Sequence, residues 1–507
     1  MKHHRDRGFA IALTLFLIVI LATVCFGALN VTTLDSRTAT EDYKASRAFY
    51  AARAGVAFAK RELTDAARVS TTSALTYGKQ PIKLSNGSDA DESFSLVITP
   101  AADNTSRVFR IWKIESTGYY DDASRTILAY IELESFAKYG YFTNIESTAA
   151  QTIQFAPHDS LTGAVHTNGY FTISGHPSFQ GQMTSANRDD EYFDRTRGSY
   201  RRTDGQTVSD NKDFYRAANN NYTADRATAL NDSPDFSFAG GQEVIELPKS
   251  TNEDAITAAN NEDSKLSGDY KIVFTEDGQA KCYKITTTTQ RVLSGRTYVT
   301  QTVTTYEGYP QKSGDPDRPA KVIDTKRSPG CTIYVDGNIE ASGDVKGRVT
   351  LANSGNCYIT DDIQYVDDNN CVLGIMSNNN VIVRTDKNTK QDIYIDAIIM
   401  ALKGSFTVEN YDSGINRGYL HLFGGLVQSK RGAVGTSSSS RTPIYGTDRY
   451  GRQTIIGYET SGTVTSTGYT KDYVYDKKLE TMPPLNFPNT GKFRLRYFID
   501  KGSLGGV

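Results

Sequence analysis

The run from Phe9 to Leu29, FAIALTLFLIVILATVCFGAL, constrains this chain more than any other feature, because it contains no charged residue. As a helix rising about 1.5 Å per residue it reaches roughly 32 Å, enough to cross a hydrocarbon core. A cleaved secretory peptide has a shorter apolar region and a small-x-small cleavage site. Lys2, Arg5 and Arg7 precede the run. The positive-inside rule therefore expects a single-pass protein with a cytoplasmic N-terminus and roughly 470 residues across the membrane.

Helical periodicity continues beyond the span. In ATEDYKASRAFYAARAGVAFAKREL, Phe49, Ala52, Val56, Ala59 and Leu63 recur at steps of three and four, which gives one apolar face. Arg47, Arg53, Lys60 and Arg61 fall largely elsewhere.

The junction Arg7-Gly8-Phe9 resembles that of type IV prepilins, which have a short basic leader ending in Gly and then Phe or Met as the first mature residue. The resemblance implies a leader over 1–8, cleavage by a prepilin peptidase between Gly8 and Phe9, N-methylation of Phe9, and a place in the inner membrane with the C-terminal part periplasmic. From the residues alone, an uncleaved signal anchor accounts for the same run. Major pilins carry Glu at the fifth mature position, where its carboxylate pairs with a neighbouring subunit's N-terminal amine. Here that position is Leu13. In this respect the chain is similar to PilX-type minor pilins and the K-type pseudopilin, which suits a filament tip or the initiation of assembly rather than a shaft. The segment Ala45–Gly55 resembles the helix that follows the membrane in PilX-like proteins, and with it Leu13, Phe49, Ala52 and Val56 become the expected assembly helix.

Three strand-like runs come next, Ser93–Thr99, Arg107–Glu115 and Arg125–Leu133, with Ser116–Ser124 expected as a hairpin loop. Together with the helix they predict a small pilin-like α+β unit over 30–135, following a transmembrane helix over 9–29. From 136 the texture changes to short β-branched runs between Gly and Asn. Examples are 160–186, then 330–365 with Ile333, Val335, Ile339, Val345, Val349, Leu351, Ile359 and Ile363, and further runs at Val372–Met376, Val381–Val383, Ile393–Ala401, Phe406–Val408 and Tyr419–Val427. Short strands without helices between them predict a mainly β domain, a right-handed parallel β-helix with a β-sandwich as the alternative. It is expected to begin over 136–186 and continue over 326–507, with 187–325 a polar insertion or subdomain. The pattern Phe155…Leu161, Gly163, Val165, His166, Thr167, Asn168, Gly169, together with Gly424–Gly435 and Gly468–Asp476, resembles a recurrent exported domain of unknown function behind PilX-like N-termini.

Charge is balanced, with Lys+Arg 56 against Asp+Glu 58, so nothing points to a nucleic acid. Cys282, Cys331, Cys357 and Cys371 permit disulfides or buried thiols, and neither is favoured by spacing. Their spacing, and the distance between His166 and His176, do not form a metal set, so no metal or cofactor is expected. Asp336, Asp344, Asp361, Asp362, Asp367 and Asp368, with Arg384 and Arg431, are the residues a β-helix carbohydrate-active enzyme would draw on. Asp is also a turn former, and turn duty is the expectation adopted, with no enzyme predicted. The reading is a minor type IV pilin or pseudopilin-like subunit, partnered by other pilins through its helix and displaying its β domain on a cell-surface filament. An anchored adhesin that grips a glycan or surface ligand is the alternative, and a tethered enzyme the third.

Overall fold

The structure, a computed structural model, describes residues 5–64, 74–84, 87–101, 111–146, 155, 159–169, 171–173, 178–186, 191–194, 199–202, 215–217, 237–239, 242–249, 253–294, 297–447 and 453–502. The chain divides into two compact units. One comprises Met1–Leu133 and Gly491–Val507, the other Glu134–Thr490.

In the first unit a single helix, α1, runs Arg5–Thr64, roughly 90 Å at the standard rise. The expected transmembrane and post-membrane helices are thus one element. Strands β1 (Leu75–Lys83), β2 (Asp89–Pro100), β3 (Ile111–Tyr120) and β4 (Ala123–Ser135) form a sheet in that order, with Asn489–Asp500 added beside β4. The β1–β2, β2–β3 and β3–β4 pairs are antiparallel. The last helical turns cover the sheet, and Leu63, Leu96, Ile98, Ile114, Ile127, Ile131 and Trp112 are buried together.

Three features of this unit differ from the expectation. Ser116–Ser124 is not a loop: β3 pairs with β4 as far as Tyr120↔Ala123, which leaves only Asp121 and Asp122 in the turn. The small residues taken for a turn are small because the helix lies against them. Ser116 Oγ donates 2.9 Å to the Ala52 carbonyl, and a Cβ on Gly118 would overlap the Ala48 oxygen and the Ala52 nitrogen. Strand β1 adds an edge strand before the first of the three expected, and Leu75, Tyr77 and Ile82, across two register shifts, are its residues that pack on the core. The closing strand, expected to belong with 326–507, pairs in the first sheet, where Phe493 meets Trp112 edge-on at 5.4 Å and Tyr497 stacks on Tyr130 at 4.6 Å.

The second unit is built from parallel ladders. One inward row runs Ile333↔Leu351↔Ile375↔Ile399↔Leu426↔Tyr141↔Val165↔Met183. A second runs Ile272↔Ala341↔Ile359↔Val383↔Val408. A third runs Ile363↔Ile395↔Leu422↔Tyr473↔Leu161↔Phe179. All these residues are buried in one cluster. Each strand therefore buries its apolar side only because its neighbours stack on it. The strands that open the unit in sequence (139–145, 160–167) pair with those that close it (416–430, 468–475).

Part of the stretch expected as an insertion belongs to this stack. Lys265–Ser267 and Tyr270–Thr275 pair in parallel with Cys331–Asp336 and Ile339–Val345, because Tyr270, Ile272 and Phe274 alternate inward. Antiparallel hairpins appear in the same unit, over 285–306 and 435–468. All five cysteines are free thiols. Cys331 and Cys357 occupy inward ladder positions beside Val349 and Ile339. Burial pushes the Cys282, Cys331 and Cys357 thiols up to about 12, so they act as small apolar residues.

Candidate functional sites: the exposed helix and an outward aromatic row

From Ile11 to Leu34 the apolar side chains of α1 are exposed all round, and the first charge after the span is Asp35. Such a segment is long and apolar enough to cross a membrane. Its hydroxyls present no unmet polar demand to lipid. Thr14, Thr23, Thr32 and Thr33 each donate to a carbonyl three or four residues back, at 2.7–2.9 Å. Gly8 and Phe9 lie on the helical backbone, and Leu13 is 50% exposed. Phe49 and Val56 are half-buried against the sheet and Ala52 is fully buried. These three sit on the face that packs within the first unit, while Leu13 is on the uncovered part of the helix.

In the second unit the outward side of the third ladder carries a row that the sequence did not single out. The register aligns Tyr394 with His421 and His421 with Asp472. Tyr394 and His421 stack at 4.5 Å with 11° between planes, and Tyr419 lies 5.8 Å from the imidazole. His421 Nδ1 lies 2.6 Å from Asp472 Oδ2. At the other end, Asp362 Oδ1 accepts from the Tyr394 amide at 2.9 Å; burial, with Asp361 and Asp344 assisting, raises its carboxyl above the usual range. Tyr394 and Tyr419 remain 39% and 51% exposed. Beside them opens a groove of about 610 Å³ lined by Lys390, Asp392, Asn416, Gly418, Tyr419, Thr465 and Thr470. Its floor is fixed by the Tyr419 amide donating to Asp392 Oδ1 at 2.7 Å. The signal available in sequence was the alternation Tyr419-x-His421 on a strand whose intervening residue, Leu420, is core.

The motif residues 155–169 are structural. Phe155, Leu161 and Val165 are core. His166 is buried, stacked on Phe142 at 5.3 Å and hydrogen-bonded to Thr184 at 2.7 Å and Asn168 at 3.2 Å. Asn168 in turn holds the Ile245 backbone through both its donor and its acceptor. His176 lies outside the described residues. Among the described residues no group of three or more His, Cys, Asp or Glu is placed to hold a metal.

Of the enzyme candidates, Asp344 and Asp361 lie near enough to Asp362 for their charges to act on it, and most have local partners. Asp336 accepts from Ser354 Oγ, Asp361 from the Asp362 amide, and Asp367 from Asn369 and Asn370. Lys478 reaches the Asp368 carbonyl. Arg384 bonds Glu340 at 3.0 Å, and Arg431 is buried with Glu146 at 2.8 Å. Asp362 and Asp472 stand three strands apart, roughly 14 Å at the usual spacing. That is wider than the carboxyl pairs of glycosidases.

A profile for a domain of unknown function (DUF4900) matches residues 110–187. No curated protein matches the chain. Among solved structures, the competence-associated pilin ComZ from Thermus thermophilus aligns over 90% of this chain and 97% of its own, at 11% identity and a TM-score of 0.29. A likeness of that size carries no argument about fold or function.

Proposed function

We propose that the chain is a minor type IV pilin or pseudopilin-like subunit that displays its second unit outside the cytoplasm. The observation that carries this reading is α1. One uninterrupted helix carries an uncharged, exposed stretch, Ile11–Leu34, just after its basic first residues, and its last turns pack on an antiparallel sheet. In this reading a prepilin peptidase cuts between Gly8 and Phe9, Phe9 is N-methylated, and the helix lies in the inner membrane until other pilins take it up. Leu13 offers no carboxylate to a neighbour's amine, which favours a tip or initiating position over the shaft. The ladders of the second unit are read as coils of a right-handed parallel β-helix, supported by three inward rows that stack with parallel register. No catalytic role is proposed, since most of the carboxylates examined serve local backbone and side-chain partners. Mass spectrometry of the N-terminus tests the assignment: a mature chain starting at methylated Phe9 supports it, and an intact Met1 in the membrane fraction overturns it.

A second reading, adhesion to a glycan, is favoured by the Tyr394–His421–Tyr419 row. Partly exposed aromatic rings, with Tyr419 at the edge of a groove of amide, hydroxyl and carboxylate groups, suit contact and hydrogen bonding to sugar rings. Glycan-array binding that is lost in the Tyr394→Ala, Tyr419→Ala double variant supports it, and binding unchanged by that variant removes these residues from it.

A further inference from the structure

In the second unit one inward row runs Ile393↔Leu420↔Lys471. A lysine thus takes a core-facing position that its neighbours fill with Ile and Leu. The next pairs, Asp472↔Ser160 and Tyr473↔Leu161, bring Asp159 beside it across the ladder. Lys471 Nζ lies 2.6 Å from Asp159 Oδ2, with the two side chains only 14% and 6% exposed. They are 312 residues apart in sequence. Burying two charges costs several kcal/mol per ion unless the geometry compensates.

The surroundings are chemically unusual for a plain ion pair. Glu146 and Arg431, both buried, pair at 2.8 Å, and the guanidinium sits 3.7 Å over the Phe155 ring. The Lys471 ammonium is 5.9 Å from the same ring, and Tyr141 and Tyr473 are buried in the same cluster. Burial, the largest influence, pushes the Lys471 ammonium below its ordinary value; Asp159 opposes this and Arg431 adds to it. Glu146 is close enough for its charge to act on Lys471 as well.

We propose that Lys471 and Asp159 condense to an intramolecular amide that staples the opening strands of the unit to its closing strand. Proton transfer within the pair gives a neutral amine and a neutral carboxylic acid. The Nζ lone pair attacks Cγ, forming the C–N bond. The tetrahedral carbon then expels one carboxyl oxygen, which departs as water carrying one proton from the acid and one from the nitrogen. No oxidant, reductant or cofactor is consumed. Condensation removes both buried charges, whose burial is otherwise costly.

The test is tryptic mapping of the purified full-length protein. The amide predicts a branched peptide that joins the Asp159 and Lys471 segments, lighter than their sum by one water, with no cleavage after Lys471. It also predicts a faster-migrating band on denaturing gels that reverts in Lys471→Arg. A linear peptide ending at Lys471 with Asp159 at its unmodified mass overturns the proposal. So does water loss confined to the Asp159 peptide, which marks a cyclic imide. Because the wild-type map decides the matter, it stands even where a variant fails to fold.

Discussion

In the first unit the inward face of the sheet, Leu96, Ile98, Ile114, Ile127 and Ile131, is covered by a helix, whereas in the second the inward rows cover one another. The helix-covered sheet needs small residues where helix and strand approach closely, at Ala48, Ala52, Gly55, Ser116 and Gly118. The self-covered ladders instead need one β-branched or large apolar residue repeated at the same register. One arrangement is sensitive to added volume, the other to removed volume. The first unit also contains Ile11–Leu34, whose apolar side chains stay exposed among the described residues.

The largest expected effect tests that last difference. Deleting residues 1–34 is expected to move the protein from the membrane fraction to the soluble fraction, with the strand signal in circular dichroism retained. A lesser version, Leu21→Arg at mid-span, adds about 2.5–3.5 kcal/mol to insertion and is expected to lower the membrane-inserted fraction in a protease-protection assay. Retention of the truncated protein in washed membranes breaks the assignment of α1 as the anchor.

Removal of volume comes next. Leu351 sits mid-row between Ile333 and Ile375, so Leu351→Ala is expected to destabilise the second unit by about 2–5 kcal/mol. Hydrogen exchange reads this as faster exchange over 331–377, with amides of β2–β4 unchanged. Added volume is the converse case. Gly118→Ala forces β3 and α1 apart and is expected to cost about 1–3 kcal/mol, with faster exchange in β2–β4 and none over 331–377. Equal loosening of both regions by either variant breaks the view that the two cores are separate.

How far these features were legible in the sequence follows from how local their causes are. The apolar span and the face Ala52–Leu63 need only helical periodicity, and Val381–Val383, Ile393–Ala401 and Phe406–Val408 need only short β-branched runs. Ser116–Gly118 misled because small residues serve turns and close packing alike. The strand Tyr270–Thr275 shows in the alternation of Tyr270, Ile272 and Phe274, whereas its parallel pairing with Ile339–Val345 does not, because its polar surroundings read as an insertion. Least legible were the buried charges. Nothing local marks Lys471 in GYTKDYVYD as core-facing, and its partner is 312 residues away. The stacking of Tyr394 on His421 likewise depends on a ladder register that only the fold supplies.

The smallest effect separates the units by pH. Asp396 lies in the second unit, its Oδ2 accepting from the Tyr365 amide at 2.8 Å. Burial, the main cause, raises its carboxyl to about 6, above its ordinary value. The folded state therefore holds this proton to higher pH than the unfolded chain does. The stability this adds is fully present below the ordinary carboxyl value and is lost as pH rises through about 6. Between pH 7 and 4.5 the second unit of the wild type should gain on the order of 1 kcal/mol relative to Asp396→Asn, once partial exposure is discounted. The asparagine keeps an oxygen to accept from Tyr365 and does not titrate, so the difference isolates the proton. Denaturant midpoints followed by exchange over 393–401 at the two pH values measure it, and an equal shift in the variant assigns the pH dependence to other groups.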